Sequence, residues 1–320
     1  MSQQDPSNWQ QKITGEWYGI PSVFDSEGGH AGFNKVSRSS VFEDNQTTYQ
    51  MTTQLDASEP LRSRFEAQGF AFGVKDSDQD RIYMGPDFFG AGHPYGSLVD
   101  AHYYSPGWQA DLRTMVHVLD DQKTQVYSSL LYDGPRICSV FNGVYKLCDD
   151  YDTNPESKKF IDDFLESEMK SGSRPHILPM KHEGRFTGRL AVYDAQQNLL
   201  GDNHVAIDYC PSSLLEAQVA VNLEGEFNRK MEFRRARFGH RYAYDGPDLC
   251  GNGIAYGRAL YTSQHFKGDA LKIKGREFII DDGYTMSVVW QVLKSDRPYM
   301  TMYGVLNWEE GDLVLKATYK

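Results

Sequence analysis

Histidine is the side chain most easily set for acid–base work near neutral pH. The N-terminal half carries His30, His93, His102 and His117. His93 lies in a glycine-rich, aromatic-flanked stretch, Gly85-Pro-Asp-Phe-Phe-Gly-Ala-Gly-His-Pro-Tyr-Gly96, which also contains Asp87, Phe88, Phe89 and Tyr95. His102 and Tyr104 follow closely and can converge on the same place. His117 belongs to the run Leu112-Arg-Thr-Met-Val-His-Val-Leu119. As a strand, that run puts Arg113, Met115 and His117 on one face and Leu112, Thr114, Val116 and Val118 on the other. Turned inward, the first face offers a cation for a substrate carboxylate and a base beside it. Turned outward, it is a solvated face, and alternation alone leaves both arrangements open. His93, His102, His117 and Asp87 are the candidate catalytic groups. Trp17, Phe88, Phe89, Tyr95, Tyr104 and Arg113 are the candidate ligand contacts.

The stretch occurs twice. Gly246-Pro-Asp-Leu-Cys-Gly-Asn-Gly-Ile-Ala-Tyr-Gly257 keeps Gly85, Pro86, Asp87, Gly90, Gly92, Tyr95 and Gly96 at an offset of 161. Asp120-Asp121 and Gly143-Val144 recur at the same offset as Asp281-Asp282 and Gly304-Val305. Earlier in the chain, Gly15-Glu-Trp17-Tyr-Gly19 answers Gly184-Arg-Phe186-Thr-Gly188 at offset 169, as Asn34 answers Asn203 and Val36 answers Val205. Collinear matches separated by loops of varying length mark an internal duplication. Positions common to both copies then encode fold, and positions that differ are where function should be sought. The shared Gly-Pro-Asp sets a turn and the shared glycines permit bulges, tight turns or close backbone approach, so most of the stretch reads as a corner of the fold. His30, His93, His102 and His117 stand opposite Leu199, Ile254, Ser263 and Phe278.

Short alternating runs separated by turn signals give about eight or nine strands per half, the pattern of a barrel or sandwich. They include Thr47–Leu55, Phe65–Val74, Arg81–Met84 and Leu98–Tyr104. The 20 tyrosines, 17 phenylalanines and 29 glycines agree with an all-β chain. Between the copies, Phe160, Ile161, Phe164, Leu165 and Met169 recur at helical spacing, with Asn154 or Thr153 to cap and Pro155 in the first turn. The expected organisation is a first barrel over 1–148 with a short N-terminal arm anchored by Trp9, a linker over 149–183 with an amphipathic helix near 156–170, and a second barrel over 184–320.

A net charge of −11 disfavours nucleic-acid partners. No apolar run is long enough for membrane insertion as a helix, and the N-terminus lacks a basic, apolar leader, so a cytoplasmic location is expected. The four cysteines have no zinc-ligand spacing and read as reduced thiols. No metal and no cofactor are assigned, since no His-Glu-x-x-His, Walker A or dinucleotide pattern occurs. A basic run in the second copy, Arg229, Lys230, Arg234, Arg235 and Arg237, suits an anion site, an interface or a solvated strand face. Oligomeric state is not readable from the chain.

Gly15-x-Trp17 on a first strand, followed by antiparallel strands, resembles the lipocalin (calycin) superfamily. Two such halves resemble tandem lipocalin-like proteins, which include a cyanobacterial family of uncharacterised members and, more distantly, the carotenoid-hydratase type. The resemblance implies two tandem up-and-down antiparallel β-barrels, with a ligand cavity at a barrel mouth. Phe186 replaces the tryptophan in the second copy, and the arginine that lipocalins place late in the barrel over that tryptophan has no clear counterpart. The function expected is a cofactor-independent enzyme that rearranges a hydrophobic or aromatic small molecule inside a barrel. Cyclase, isomerase and hydratase chemistry of a natural-product or pigment pathway fits, and scytonemin-like indole cyclisation is one example. The alternatives are a non-catalytic carrier of an isoprenoid, tetrapyrrole or fatty acid, and a structural protein whose barrels are filled by side chains.

Overall fold

The computed structural model describes residues 7–44, 46–65, 69–176, 182–281 and 284–314. Residues 1–6 of the expected arm, 177–181 of the expected linker and Asp282 of the repeat lie outside the described residues. The chain divides into two compact units, Met1–Arg174 and Pro175–Lys320.

The first unit begins with α1 (Asn8–Ile13), β1 (Gly15–Gly19), β2 (Ser22–Asp25), β3 (His30–Glu43) and β4 (Gln46–Ala57). It continues through α2 (Leu61–Arg64), β5 (Gly69–Asp76), β6 (Arg81–Met84), β7 (Phe89–Tyr95) and β8 (Leu98–Ser105). It ends with β9 (Ala110–Val118), β10 (Thr124–Asp133), β11 (Arg136–Leu147) and α3 (Pro155–Ser171). Neighbouring strands pair antiparallel in chain order, and β1 and β2 each pair with both β3 and β11. The sheet thereby closes on itself, with β1 and β2 acting as one strand broken at Ile20-Pro21.

The second unit is a closed barrel of β12 (His182–Asp194), β13 (Leu199–Ser213), β14 (Glu216–Gly225), β15 (Arg229–Phe238), β16 (Arg241–Asp245), β17 (Leu249–Tyr256), β18 (Ala259–Phe266), β19 (Leu271–Ile279), β20 (Thr285–Lys294) and β21 (Arg297–Val314). The fold is therefore two lipocalin-like antiparallel barrels in tandem. Each barrel has ten strands once β1 and β2 are counted together, more than the eight or nine read from the sequence. Part of the difference lies in the repeated stretch, which is more than a corner. Its first residues turn the chain, and the rest is a strand of its own, β7 in one copy and β17 in the other.

The duplication holds at the level of register. Tyr95 pairs with Leu98 and Tyr256 pairs with Ala259, so both copies close the same hairpin over a two-residue turn. The first turn residue has φ +63° at Gly96 and +57° at Gly257, a region where a side chain is strained. The opening motif also serves both copies. Trp17 is fully buried and pairs with Leu147 of the closing strand; Phe186 is fully buried and pairs with Trp308, an offset of 161 from Leu147. Phe186 packs on Trp308 with ring centroids 4.9 Å apart. The indole missing from the second copy's first strand is thus supplied by the strand that closes its barrel.

Small elements plug the first barrel. In α1 the Ser7 hydroxyl caps the Gln10 amide at 3.1 Å. The buried Gln10 side chain donates to Ser40 Oγ at 3.2 Å and accepts from Thr47 Oγ1 at 2.6 Å. This holds Trp9 and Ile13 against the interior at the β3–β4 end. Toward the β2–β3 end, Phe65 packs edge-on against Trp108 at 5.4 Å. Sequence alternation suggests a strand from Phe65; Phe65 itself follows the short helix α2, residues 66–68 lie outside the described residues, and β5 is described from Gly69. The linker helix expected near 156–170 corresponds to α3, whose Asn154 side chain caps the Glu156 amide at 3.0 Å. Its Ile161 and Leu165 pack on Tyr18 and Ile20, while Phe160 and Met169 are exposed. Among the described residues no helix is long and apolar enough to cross a membrane.

Gly96→Ala should lower stability by about 1–2 kcal/mol, because a Cβ is forced into left-handed backbone. Gly69→Ala, where the added Cβ meets nothing within 4 Å, should be near neutral. Urea unfolding of both variants checks the contrast.

Candidate functional site

The first barrel encloses a cavity of ≈ 90 Å³, and the corresponding space in the second is ≈ 20 Å³. Side-chain alternation decides what reaches the larger one. Val99, Ala101 and Tyr103 of β8 and Leu112, Thr114 and Val116 of β9 line it. The intervening residues of those strands therefore point outward.

That parity sets most of the residues singled out in this region away from the cavity. His102, Tyr104, Arg113 and His117 all lie on the outer face, out of phase with the lining residues. On β7, Gly92 and Pro94 pair with the lining Ala101 and Val99, so Phe89, His93 and Tyr95 also face outward. The His93 imidazole is exposed, with Nδ1 3.9 Å from Asp80 Oδ1, and that of His102 is exposed, with Nε2 3.9 Å from Asp111 Oδ1. Arg113 is exposed and stacks over Tyr132 at 4.9 Å, and Phe89 and Tyr104 pack on each other at 5.5 Å. Tyr95 is buried on that outer face. Asp87 is half-buried and accepts a hydrogen bond from the Ala71 amide at 3.4 Å, which ties the turn to β5. His117 is buried as well, and burial pushes its imidazole down to about 4. Of the ten residues singled out by sequence, Phe88 lines the cavity and Trp17 lies in the core beneath one of its walls.

The cavity's polar groups come from other strands. Arg38 of β3 lines it, with its guanidinium 5.9 Å from the Trp17 ring and 6.0 Å from the rings of Tyr49 and Tyr145. An arginine does stand over the motif tryptophan, then, but it comes from the strand beside it and not from late in the barrel. Arg38 Nη2 donates to Gln125 Oε1 at 2.8 Å, and its buried Nε has no hydrogen-bond partner. Among the described residues Arg38 has no carboxylate partner. Arg81 of β6 is buried beside it. Its Nη2 donates to the Tyr49 hydroxyl at 2.6 Å, and its Nη1 lies 3.6 Å from the Asp76 carboxylate, which is fully buried. Burial pushes the Asp76 carboxyl up to about 6 against the pull of Arg81, so the pair is neutral overall at pH 7. Arg38 then leaves one uncompensated positive charge among these three groups.

Tyrosines form much of the remaining wall. Tyr103 hydrogen-bonds Thr114 at 2.9 Å, and Thr114 bonds Ser129 at 2.8 Å. Burial holds the phenols of Tyr103, Tyr127 and Tyr145 above the usual tyrosine range, and that of Tyr83 is pushed up to about 12. These groups are neutral hydrogen-bonding hydroxyls near pH 7. Among the described lining residues none is a histidine, an aspartate, a glutamate or a cysteine. No group of three such side chains able to hold a metal ion occurs among the described residues.

The second barrel's basic run divides between interior and surface. Arg235 is buried, donates to Tyr209 OH at 3.1 Å and stacks on Tyr242 at 4.7 Å. Arg229 pairs with Asp269 at 2.8 Å and Arg234 with Glu216 at 3.4 Å. The comparison of copies that singled out the histidines would have found the cavity arginines too. Arg38 stands opposite Ile207 and Arg81 opposite Tyr242. What the sequence withheld was which strand face is inside.

No family model matches the chain, and no curated protein matches it. Among solved structures, a protein of unknown function from the DUF3598 family of Nostoc punctiforme aligns over 97% of this chain and 100% of its own, with a TM-score of 0.61 and 9% identity. At that identity the likeness shows the fold: the tandem barrels exist as a unit in another chain. The di-domain ARO/CYC protein BexL of the BE-7585A biosynthetic pathway aligns over 85% of this chain and 74% of its own at 8% identity. Its TM-score of 0.14 carries no argument.

His117 should make stability fall on acidification. Its folded pKa of about 4 lies below the unfolded value of about 6.5, so the unfolded chain binds the extra proton between them. The contribution is complete above pH 6.5 and is lost as pH falls toward 4, about 2–3 kcal/mol by pH 4.5. Urea unfolding at pH 7 and pH 4.5 should show His117→Phe losing less stability than wild type by that amount.

Proposed function

We propose that the protein binds a small carboxylate-bearing molecule in its first barrel, with the anion against Arg38 and the apolar body among the tyrosines. The observation that carries this reading is the Arg38 guanidinium. It lines an aromatic cavity, it has no carboxylate partner among the described residues, and its buried Nε makes no hydrogen bond. Arg38 is half-buried and has no anion beside it among the described residues, and a carboxylate ligand would supply its guanidinium with charge-assisted hydrogen bonds.

Size narrows the ligand. A dry cavity of about 150 Å³ accommodates benzene, and a water in bulk takes about 30 Å³. A space of ≈ 90 Å³ suits a short-chain acid as it stands, and a monocyclic aromatic acid after a modest outward shift of its walls. Isoprenoids, tetrapyrroles and long fatty acids are far larger, so the carrier reading is kept with a smaller, charged guest. The rearrangement chemistry expected of the histidines has less support. General-base catalysis needs a group that exchanges a proton near the working pH, and burial holds Tyr83, Tyr103, Tyr127 and Tyr145 of this cavity protonated.

Calorimetric titration with acetate, butyrate, benzoate and their carboxamides tests the reading. The acids should bind, and the carboxamides should bind about tenfold or more weakly. Arg38→Met, checked for native near-ultraviolet circular dichroism, should reduce the acids to the level of the carboxamides. Carboxamides that bind as tightly as acids, or acid binding indifferent to Arg38→Met, would overturn it.

A further inference from the structure

Asn34 and Asn203 are one residue duplicated, at an offset of 169 on equivalent strands. Both are buried. In the second barrel the carboxamide is used by the fold. Asn203 Nδ2 donates to the Phe227 carbonyl at 2.9 Å, and its Oδ1 accepts from the Phe227 amide at 3.0 Å. Phe227 lies in the short connection between β14 and β15, so the asparagine pins that turn to the barrel wall.

The equivalent connection of the first barrel joins β4 to β5. It is longer and passes through α2, with residues 66–68 outside the described residues. The backbone that Asn203 bonds has no counterpart at Asn34 among the described residues. Among the described residues nothing donates to the Asn34 side-chain carbonyl. Its Oδ1 is buried and unpartnered, the residue is 4% exposed, and it lines the cavity. Buried amides are almost always satisfied, and an orphan carries the full desolvation cost of the group. The same side chain therefore has a structural partner in one copy and an unfilled hydrogen-bonding capacity in the other, inside the barrel with the larger cavity.

We propose that Asn34 is the second polar anchor of the ligand site and hydrogen-bonds a hydroxyl or amide group of the guest. This rests on the carboxylate reading at Arg38 and deepens it. Asn34, Val36 and Arg38 all line the cavity from β3. Asn34 and Arg38 are four residues apart on one strand face, about 13 Å between Cα atoms. They address opposite ends of the guest. The ligand class is thus a small bifunctional acid, with a carboxylate for Arg38 and a neutral hydrogen-bonding group at its far end. A carboxamide both donates and accepts, so a hydroxyl, which does the same, is the simplest complement. An apolar acid of equal size leaves the amide orphaned, and a site of this kind discriminates against such an analogue more sharply than a greasy pocket does.

Two isosteric probe pairs test the proposal, 4-hydroxybutyrate with pentanoate and 4-hydroxybenzoate with 4-methylbenzoate. In the wild type the hydroxyl member should bind about tenfold or more tightly. Asn34→Leu should abolish that ratio, while Arg38→Met should weaken both members and leave the ratio in place. In the ligand-free protein Asn34→Leu should leave the unfolding midpoint unchanged or raise it, whereas Asn203→Leu should lower it and leave the ratio unaltered. If Asn34→Leu does not fold, Asn34→Ala reads the same ratio. A wild-type ratio near one, or a ratio that survives Asn34→Leu or Asn34→Ala, overturns the role of Asn34, and acid binding that still depends on Arg38 then leaves the carboxylate reading standing. If none of the four acids binds, the carboxylate reading falls and takes this inference with it.

Discussion

Pairing β1 with β11, and β12 with β21, closes each sheet and removes the edges that an open sheet of this length would expose. Closure of ten strands also creates an interior wider than that of an eight-stranded barrel, and side chains must fill it. Nearly everything else in the structure answers that demand. Large aromatic residues line much of the first interior and aliphatic residues most of the second, and in the first barrel glycines on neighbouring strands make room for the rings. A Cβ at Gly92 would stand 3.3 Å from the Tyr83 ring, and one at Gly19 would overlap the Tyr145 ring. The glycines shared by the copies are thus partly turn residues and partly the counterpart of bulky neighbours across the sheet.

The two barrels solve the filling problem differently. The second packs Trp290 and Trp308 with apolar neighbours and leaves little space around the buried Arg235. The first uses tyrosines and two arginines, which pack well against aromatic faces but cannot all be neutralised from within. Asp76 balances Arg81. Arg38 is held by Gln125 and three aromatic rings and keeps its charge directed at a cavity. Polar side chains leave gaps where apolar ones would interdigitate, because their hydrogen-bonding directions restrict how they pack. The first interior retains both a void and a charge, and the coincidence of the two is what makes it the candidate site.

Duplication was legible in the chain without any structure, because turn chemistry survives divergence: a left-handed residue at Gly96 and Gly257 has few alternatives to glycine. The all-β class, the tandem arrangement and the helix α3 with its Asn154 cap were legible for the same local reason. Turns, caps and alternation depend on residues adjacent in sequence. The extra strand in each repeat was harder to see, since the glycines of β7 hide its alternation.

The site was not legible, and the reason is the two-residue period of a strand. Alternation groups Arg113 with His117 and Leu112 with Thr114, but it carries no sign that says which group is inside. Burial could not settle it either, since His117 is buried on the outer face. That sign comes from closure of the barrel, which turns one whole face of every strand inward at once. By itself the sequence determined the repeat, the strands and the residues available to each face. Tertiary structure decided that Arg38, Arg81 and Asn34 converge on a cavity while the histidines do not, because only the curvature of the closed sheet distinguishes its two sides.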